Sequence, residues 1–436
     1  MNLLVTNTHH IQAYAIICAL RPYSAKVVAT LYGDNRLKAN FAHAARSRLV
    51  DQRYYVPSPI KDWQAGRISA ENTEQEEAYI RAIEEICDRE HIDTIFPSFD
   101  AHVYLFSKNK ARFAKKGVLI PVPDYETVLV PLDKYRTVLA AQSVGFPCPR
   151  TCLAESDDDL KEIDRDWQYP VMIRPRFTSS AQGVEIVNNF KALVEKTRVV
   201  RATWGTPMIQ EYIPGRDLTA HSFRMVIDRE GQLIACFCTK VLRTVVRLRR
   251  SWVAAFQLEA PGAYLEPAVR LLREIGWWGA ASVSMKLDPR DGVPKLTEIN
   301  CRFGSRLWHA TEVGVNLPLI CLKIARGEKV QRVDGYSAGA VLLDPVADVF
   351  QCCFWALDYP LYSLRTRVLK LTPFDPLKAP MRPAQVLDSY RKTYFGGERK
   401  VYTPYFKYFF RDPMVSALEW ISYVHQFFQH ARELGR

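Results

Sequence analysis

Residues 296–318 read LTEINCRFGSRLWHATEVGVNLP, and the chemistry of the chain is densest there. Leu296 and Ile299 fall off the polar face of a strand, Glu298 and Asn300 share one side of it, and Arg302 continues that side. Carboxylate and amide oxygens so placed suit a hard cation such as Mg2+, whose remaining octahedral positions phosphates and water fill. The arginine suits phosphate oxygens. An E-x-N-x-R alternation is also the pattern of an ordinary solvated strand face, so its meaning rests on the segments around it.

The chain has 436 residues, 24% of them charged, with a net charge of +12. That length predicts two to three domains. The opening MNLLVTNTHHIQAYAIICAL has no basic leader, and Asn7, His9, His10 and Gln12 interrupt its apolar run, which argues against a signal peptide. No window reaches the length of a membrane span. Ten cysteines without a C-x-x-C pair argue against a zinc site or a disulfide framework and for reduced thiols in a cytoplasmic protein. The positive charge favours acidic partners, among them a nucleotide, a carboxylated substrate, nucleic acid or an anionic membrane. The basic run Lys240, Arg243, Arg247, Arg249 and Arg250 comes with no nucleic-acid-binding motif, so no specific nucleic acid is expected and an anionic substrate is the preferred ligand there.

Upstream, LLVTN, KVVATLYG, TIFPSFD and VLIPVP read as buried strands, and the segments 71–89 and 101–116 have helical spacing. Such alternation predicts an open parallel sheet with helices on both faces. The first strand is followed by Thr6 to His10, with no G-x-G-x-x-G to admit a pyrophosphate. Asp100 stands where such sheets place ligands, or as a helix N-cap. Lys134 opens a short helix, 135–141; a lysine gains nothing from the dipole at that end, and a bound anion is one reason to keep it there. In YPVMIRPRFTSSAQGVEIV, residues 169–187, Arg174 lies on an apolar strand and needs an anion, while Thr178, Ser179, Ser180 and Gly183 form a loop suited to folding over phosphates. In MIQEYIPGRD, residues 208–217, backbone groups beside Glu211 can read an adenine edge and Asp217 can accept ribose hydroxyls.

These pieces, in this order, resemble the ATP-grasp superfamily of carboxylate–amine ligases over about residues 3–330. The resemblance implies an α/β and α+β architecture. A Rossmann-like domain would span 1–122, and a two-subdomain ATP-grasp domain 123–343 with a lid-like subdomain at 145–215. An aromatic-rich helical extension would follow at 344–436. It further implies an enzyme using ATP with Mg2+, or Mn2+, to join a small-molecule carboxylate to an amine or thiol through an acyl phosphate. Lys134 and Arg174 match phosphate-binding positions, and IRPRFT here is similar to the IRPSFT-like string of carbamoyl-phosphate synthase domains. Gln210, Glu211, Tyr212 and Ile213 match the adenine hinge, Asp217 the ribose contact, Glu298 and Asn300 the metal pair, and Arg302 the arginine at the transferring phosphoryl group. Two departures stand out. In VSMKLDPRDG, Ser284 occupies the place of the family's first carboxylate, and the phosphate loop has Ser180 and Ala181 where glycines are common. They motivate an alternative, a weakly catalytic or non-catalytic nucleotide-binding module.

Prolines at 345, 360, 373, 376, 380, 383, 404 and 413 argue against long helices beyond residue 344 until a terminal helix, 415–433, bearing Trp420, Tyr423, Phe427 and Phe428. That helix is expected to dock on the protein's own core. Peripheral contact at the inner membrane surface, or a homo-oligomer contact, is the alternative.

Overall fold

The computed structural model describes residues 1–9, 11–33, 44–59, 66, 68–178, 181–214, 220–244, 253–304, 307–333, 335–370, 381–402, 412–418, 420–421 and 424. Its first layer is a parallel sheet of β1 (Asn2–Val5), β2 (Lys26–Tyr32), β3 (Gln52–Val56) and β4 (Thr94–Phe96), in the order β3-β2-β1-β4. Side chains alternate across it: Leu3, Val5, Val27 and Ala29 join the core containing the helix Ile11–Leu20. Leu4 and Val28 join Tyr79, Ile80 and Ile83 of the helix Glu74–Glu90. Thr73 and Glu76 close a capping box at the start of that second helix.

The strand β3 escaped the sequence reading because QRYYV is an exposed edge whose last residue alone is buried. VLIPVP, expected as a strand, makes only a bridge from Leu119 to Thr94, because Pro121 and Pro123 lack the N–H groups a ladder needs. The expected helix 101–116 is broken at Asn109 into Asp100–Lys108 and Lys110–Ala114.

The second layer is antiparallel: β5 (Thr151–Leu153), β6 (Val171–Arg174), β7 (Glu185–Val187) and β8 (Met208–Glu211), in the order β5-β8-β6-β7. The helices Asp157–Asp166 and Phe190–Trp204 supply Leu160, Ile163, Leu193 and Val200 to its core.

The third sheet contains β9 (Ala220–Ile227), β10 (Leu233–Thr244), β11 (Val253–Leu258), β12 (Gly279–Leu287), β13 (Pro294–Asn300), β14 (Val341–Leu343) and β15 (Lys400–Tyr402). Their order is β13-β12-β9-β10-β11-β14-β15, antiparallel except between β14 and β15.

Beyond residue 344 the proline argument fails. A helix runs from Pro345 to Ser363. Pro345 occupies its first turn, where an N–H has no intrahelical partner anyway, whereas Pro360 lies inside the helix, whose run continues as a π-helix over Leu364–Val368. Arg243 of β10, fully buried, donates to both carboxylate oxygens of Asp348 on this helix at 2.8 and 2.5 Å. The same carboxylate accepts from the hydroxyls of Tyr390 (3.2 Å) and Tyr394 (2.7 Å). Arg243 is therefore a structural cation, not part of an anionic substrate site, and Lys240 lies 3.7 Å from Glu259. Arg247, Arg249 and Arg250 lie outside the described residues. Further along, Asp412 is buried against the N-terminal layer, where it accepts from Tyr14 (3.0 Å) and from Ser47. Residues 413–418 are helical with Val415 and Ser416 buried, Trp420 is 39% exposed, and Tyr423, Phe427 and Phe428 lie outside the described residues. No described helix is long and apolar enough to cross a membrane.

Candidate active site

Strict alternation cannot bury both Leu296 and Ile299, which are three residues apart. The chain solves this with a bulge: Ser284 pairs with Glu298 and the next residue, Met285, pairs with Leu296, so Thr297 is the extra residue. The Thr297 hydroxyl donates to the Ser284 carbonyl at 2.9 Å. Leu296 and Ile299 then enter the core, while Glu298 and Asn300 face a cavity of about 320 Å³. Asn300 Nδ2 donates to Glu298 Oε1 at 2.9 Å, and Arg302 Nη2 lies 3.4 Å from Asn300 Oδ1. The carboxylate and the amide thus stand side by side, with the amide nitrogen toward Glu298 and its oxygen toward Arg302.

The helix Lys134–Ser143 brings a cation to the same cavity. Its N-cap Asp133 accepts from the backbone of Tyr135 and from Arg176 Nε, each at 3.0 Å, which clamps the helix start to the chain leaving β6. The Lys134 ammonium donates to the carbonyls of Arg176 (3.3 Å) and Thr178. Burial, then the neighbouring Arg174, pull its pKa down to about 8, against the pull of Glu298, Asp100 and Asp133. Burial pushes the Glu298 carboxyl upward, but Lys134, Asn300, Arg174 and Arg302 outweigh it and hold the group below the usual carboxylate range.

Arg174, on β6, is 9% exposed and donates to Gln210 Oε1 at 2.7 Å and to the Thr297 carbonyl at 3.2 Å. Its immediate partners are neutral oxygens. Arg302 instead binds Asp100 through Nε at 3.0 Å. Asp100 is the first residue of its helix and caps nothing; Phe99 is the N-cap.

The hinge is less open than its sequence suggested. Gln210 is 2% exposed, its amide spent between Arg174 and Thr151, and the Glu211 backbone N–H donates to the Arg150 carbonyl at 2.8 Å. Lys286 donates to the Ile213 carbonyl at 2.9 Å and lies over the Tyr212 ring at 5.5 Å. Lys286 therefore faces the hinge, further along β12 than the Ser282 and Ser284 that line the cavity. Gly183 has φ +69°, and a Cβ there would come within 2.6 Å of Trp204 Nε1 and 2.8 Å of Pro175 Cγ, so only glycine fits. Ser179, Ser180 and Asp217 lie outside the described residues. Arg224 of β9, with Ser222 beside it, also lines the cavity and was missed; an arginine inside the otherwise apolar FRMVI was the available signal.

A parallel α/β domain followed by an antiparallel sheet and a largely antiparallel one, with cations and a paired acid and amide at a shared cavity, is the ATP-grasp fold. Residues 133–333 match the family described as carbamoyl-phosphate synthase L chain, ATP binding domain, and residues 71–121 match the PylC-like N-terminal domain. Among curated relatives, the D-aspartate ligase of Enterococcus faecium (strain Aus0004) is 23% identical over 50% of this chain and 55% of its own length. The carbamoyl phosphate synthase large chain of Methanobrevibacter smithii is 23% identical over 58% of this chain and 24% of its own. The chain therefore spans about half or less of these relatives. The biotin carboxylase domain of Hydrogenobacter thermophilus 2-oxoglutarate carboxylase, solved with MgADP and bicarbonate, superposes with a TM-score of 0.58 at 17% identity, covering 77% of this chain and 73% of that one. N5-carboxyaminoimidazole synthetase from Staphylococcus aureus gives 0.55 at 12% identity, covering 76% and 78%.

Proposed function

We propose that the chain is an ATP-dependent ligase that activates a small-molecule carboxylate as an acyl phosphate and passes the acyl group to an amine. A substrate carboxylate oxygen attacks the terminal phosphorus of ATP, and ADP leaves with the bridging oxygen. The amine lone pair then attacks the acyl carbon, phosphate leaves with the bonding pair, and the amine proton passes to solvent. The observation that carries this reading is the pairing of Glu298 with Asn300 at a cavity that Lys134 and Arg302 also line. Two such oxygens fit Mg2+, which keeps its remaining positions for phosphate and water, and Mn2+ is served by the same ligands. When bound, the metal supplies neutralisation of phosphate charge. The chain's own part is to hold phosphate oxygens with Lys134 and Arg174, to keep Arg302 at the transferring group, and to align donor and acceptor. In this reading residues 123–343 form the catalytic clamp, 145–215 its lid, and Gln210 to Ile213 with Asp217 receive the nucleoside.

The test is ADP release from Mg-ATP across a panel of carboxylates and amines. The native chain turns over with at least one pair, and Glu298→Ala lowers the rate by about 10²-fold or more. Turnover unaffected by Glu298→Ala rejects the metal pair. Ser284 favours a second reading, a nucleotide-binding module with little turnover, because it is the register partner of Glu298 and a hydroxyl is a poor ligand for a hard cation. Turnover by Ser284→Glu alone would establish that reading.

A further inference from the structure

Two buried arginines among the described residues, Arg174 and Arg224, have no carboxylate in an ion pair with them, and of the two Arg224 lines the cavity. Arg243 has Asp348 and Arg302 has Asp100. Arg174 has Gln210 and Thr297 as neutral acceptors, and burial lowers its pKa against the opposing pull of Glu298. Arg224 is 8% exposed and donates from Nη1 to Thr239 Oγ1 at 2.7 Å, while its buried Nε has no hydrogen-bond partner among the described residues. No described carboxylate forms an ion pair with it. Burial draws its pKa down to about 10, and the groups that favour its charge are the thiols of Cys238 and Cys236. A buried guanidinium left this way is costly unless an anion arrives to meet it.

The surroundings suit an oxyanion. Gly304 lines the same wall, and a Cβ at that position would stand 3.0 Å from Arg224 Nε, so the absence of a side chain lets this wall pack close against the guanidinium. The hydroxyls of Ser222 and Ser284 lie 3.3 Å apart, and Ser282 stands between Arg224 and Asn300 in one cross-strand row. Two strand spacings put Arg224 roughly 10 Å from Asn300 at the backbone. An anion held by the guanidinium therefore lies beside the Glu298–Asn300 corner. Where a carboxylate would add a second metal ligand, Ser284 adds only a hydroxyl, and the fixed positive charge of Arg224 stands one strand further on.

We propose that Arg224, with the hydroxyls of Ser222, Ser282 and Ser284, forms the subsite that binds the substrate's carboxylate. This rests on the ligase reading for the identity of the ligand, but on Arg224 itself for the existence of the subsite. The test uses calorimetric titration of the full chain, both nucleotide-free and saturated with MgADP, with acetate, succinate and inorganic phosphate as probes. Arg224→Met is expected to weaken carboxylate binding at least 30-fold while leaving MgADP affinity within twofold, and Gly304→Ala to weaken it several-fold with the charge intact. Arg224→Met should also raise the melting temperature of the ligand-free chain, since it removes an unpaired buried charge; a purely structural arginine would lower it. Carboxylate binding that is absent or indifferent to Arg224, an equal loss of MgADP affinity, or Arg224-dependent binding of phosphate alone would each overturn the proposal. A native chain that binds no MgADP overturns the ligase reading instead, and the nucleotide-free titration still decides the subsite.

Discussion

Lys134 holds its charge against its surroundings. Its ammonium loses the proton as pH rises through about 8, whereas holding phosphate requires the proton, so nucleotide binding should take up a proton above that pH. The sign follows: affinity is highest below pH 8 and falls about tenfold from pH 7 to 9. Calorimetry in buffers of different ionisation enthalpy measures both effects, and a pH-independent affinity would remove Lys134 from the phosphate site. Arg174→Ala should act twice. It weakens ATP binding by about 1.5–3 kcal/mol as a charge-assisted bond is lost, and it lowers stability by about 1–3 kcal/mol because Gln210 Oε1 is left buried without its donor. Paired nucleotide titrations and urea melts separate the two. Arg174 was legible because charge on an apolar strand is costly; its neutral partners were not, since Gln210 and Thr297 come from β8 and β13 and meet it only in the folded chain.

At the scale of one strand, Thr297 sets the phase of β13. Because it is the extra residue, deleting it leaves Leu296, Glu298, Ile299 and Asn300 in simple alternation, each on the face it already occupies. The expected outcome is that the deletion variant folds and keeps Glu298-dependent ADP release, as does Thr297→Ser, which retains the bulge and its hydroxyl; loss of release in the deletion variant alone would show that the site depends on the local bend of the bulge and not only on its phase. Activity measurements on the two variants, with circular dichroism melts, check it. The bulge was readable in principle, because two apolar residues three apart flanking polar ones cannot satisfy a two-residue period. The helix Pro345–Ser363 was misread for the opposite reason: Pro345 was counted against a helix although it stands at the helix start, where proline is favoured, and Pro360 is carried inside the helix in spite of its missing N–H. The break at Asn109 left no such trace.

The whole molecule is held together by contacts remote in sequence. The parallel first sheet and the order of the site segments could be read from apolar runs and motif spacing, but the fastening of the C-terminal region could not, because its determinants are single polar residues. Asp348→Ala strands a fully buried Arg243 and should cost about 3–5 kcal/mol, with the helix Pro345–Ser363 losing protection from hydrogen exchange before the first sheet does. Uniform loss of protection would mean the region is not a separable unit. The Asp412 contact with the N-terminal layer has a consequence in time. Tyr14 and Ser47 leave the ribosome 398 and 365 residues before their shared carboxylate. At roughly 5–20 residues per second, that is on the order of 20–80 s of synthesis. For that interval the nascent first layer displays an unfilled seat, and it is the period in which a chaperone, or a neighbouring nascent chain, has the best opportunity to occupy it.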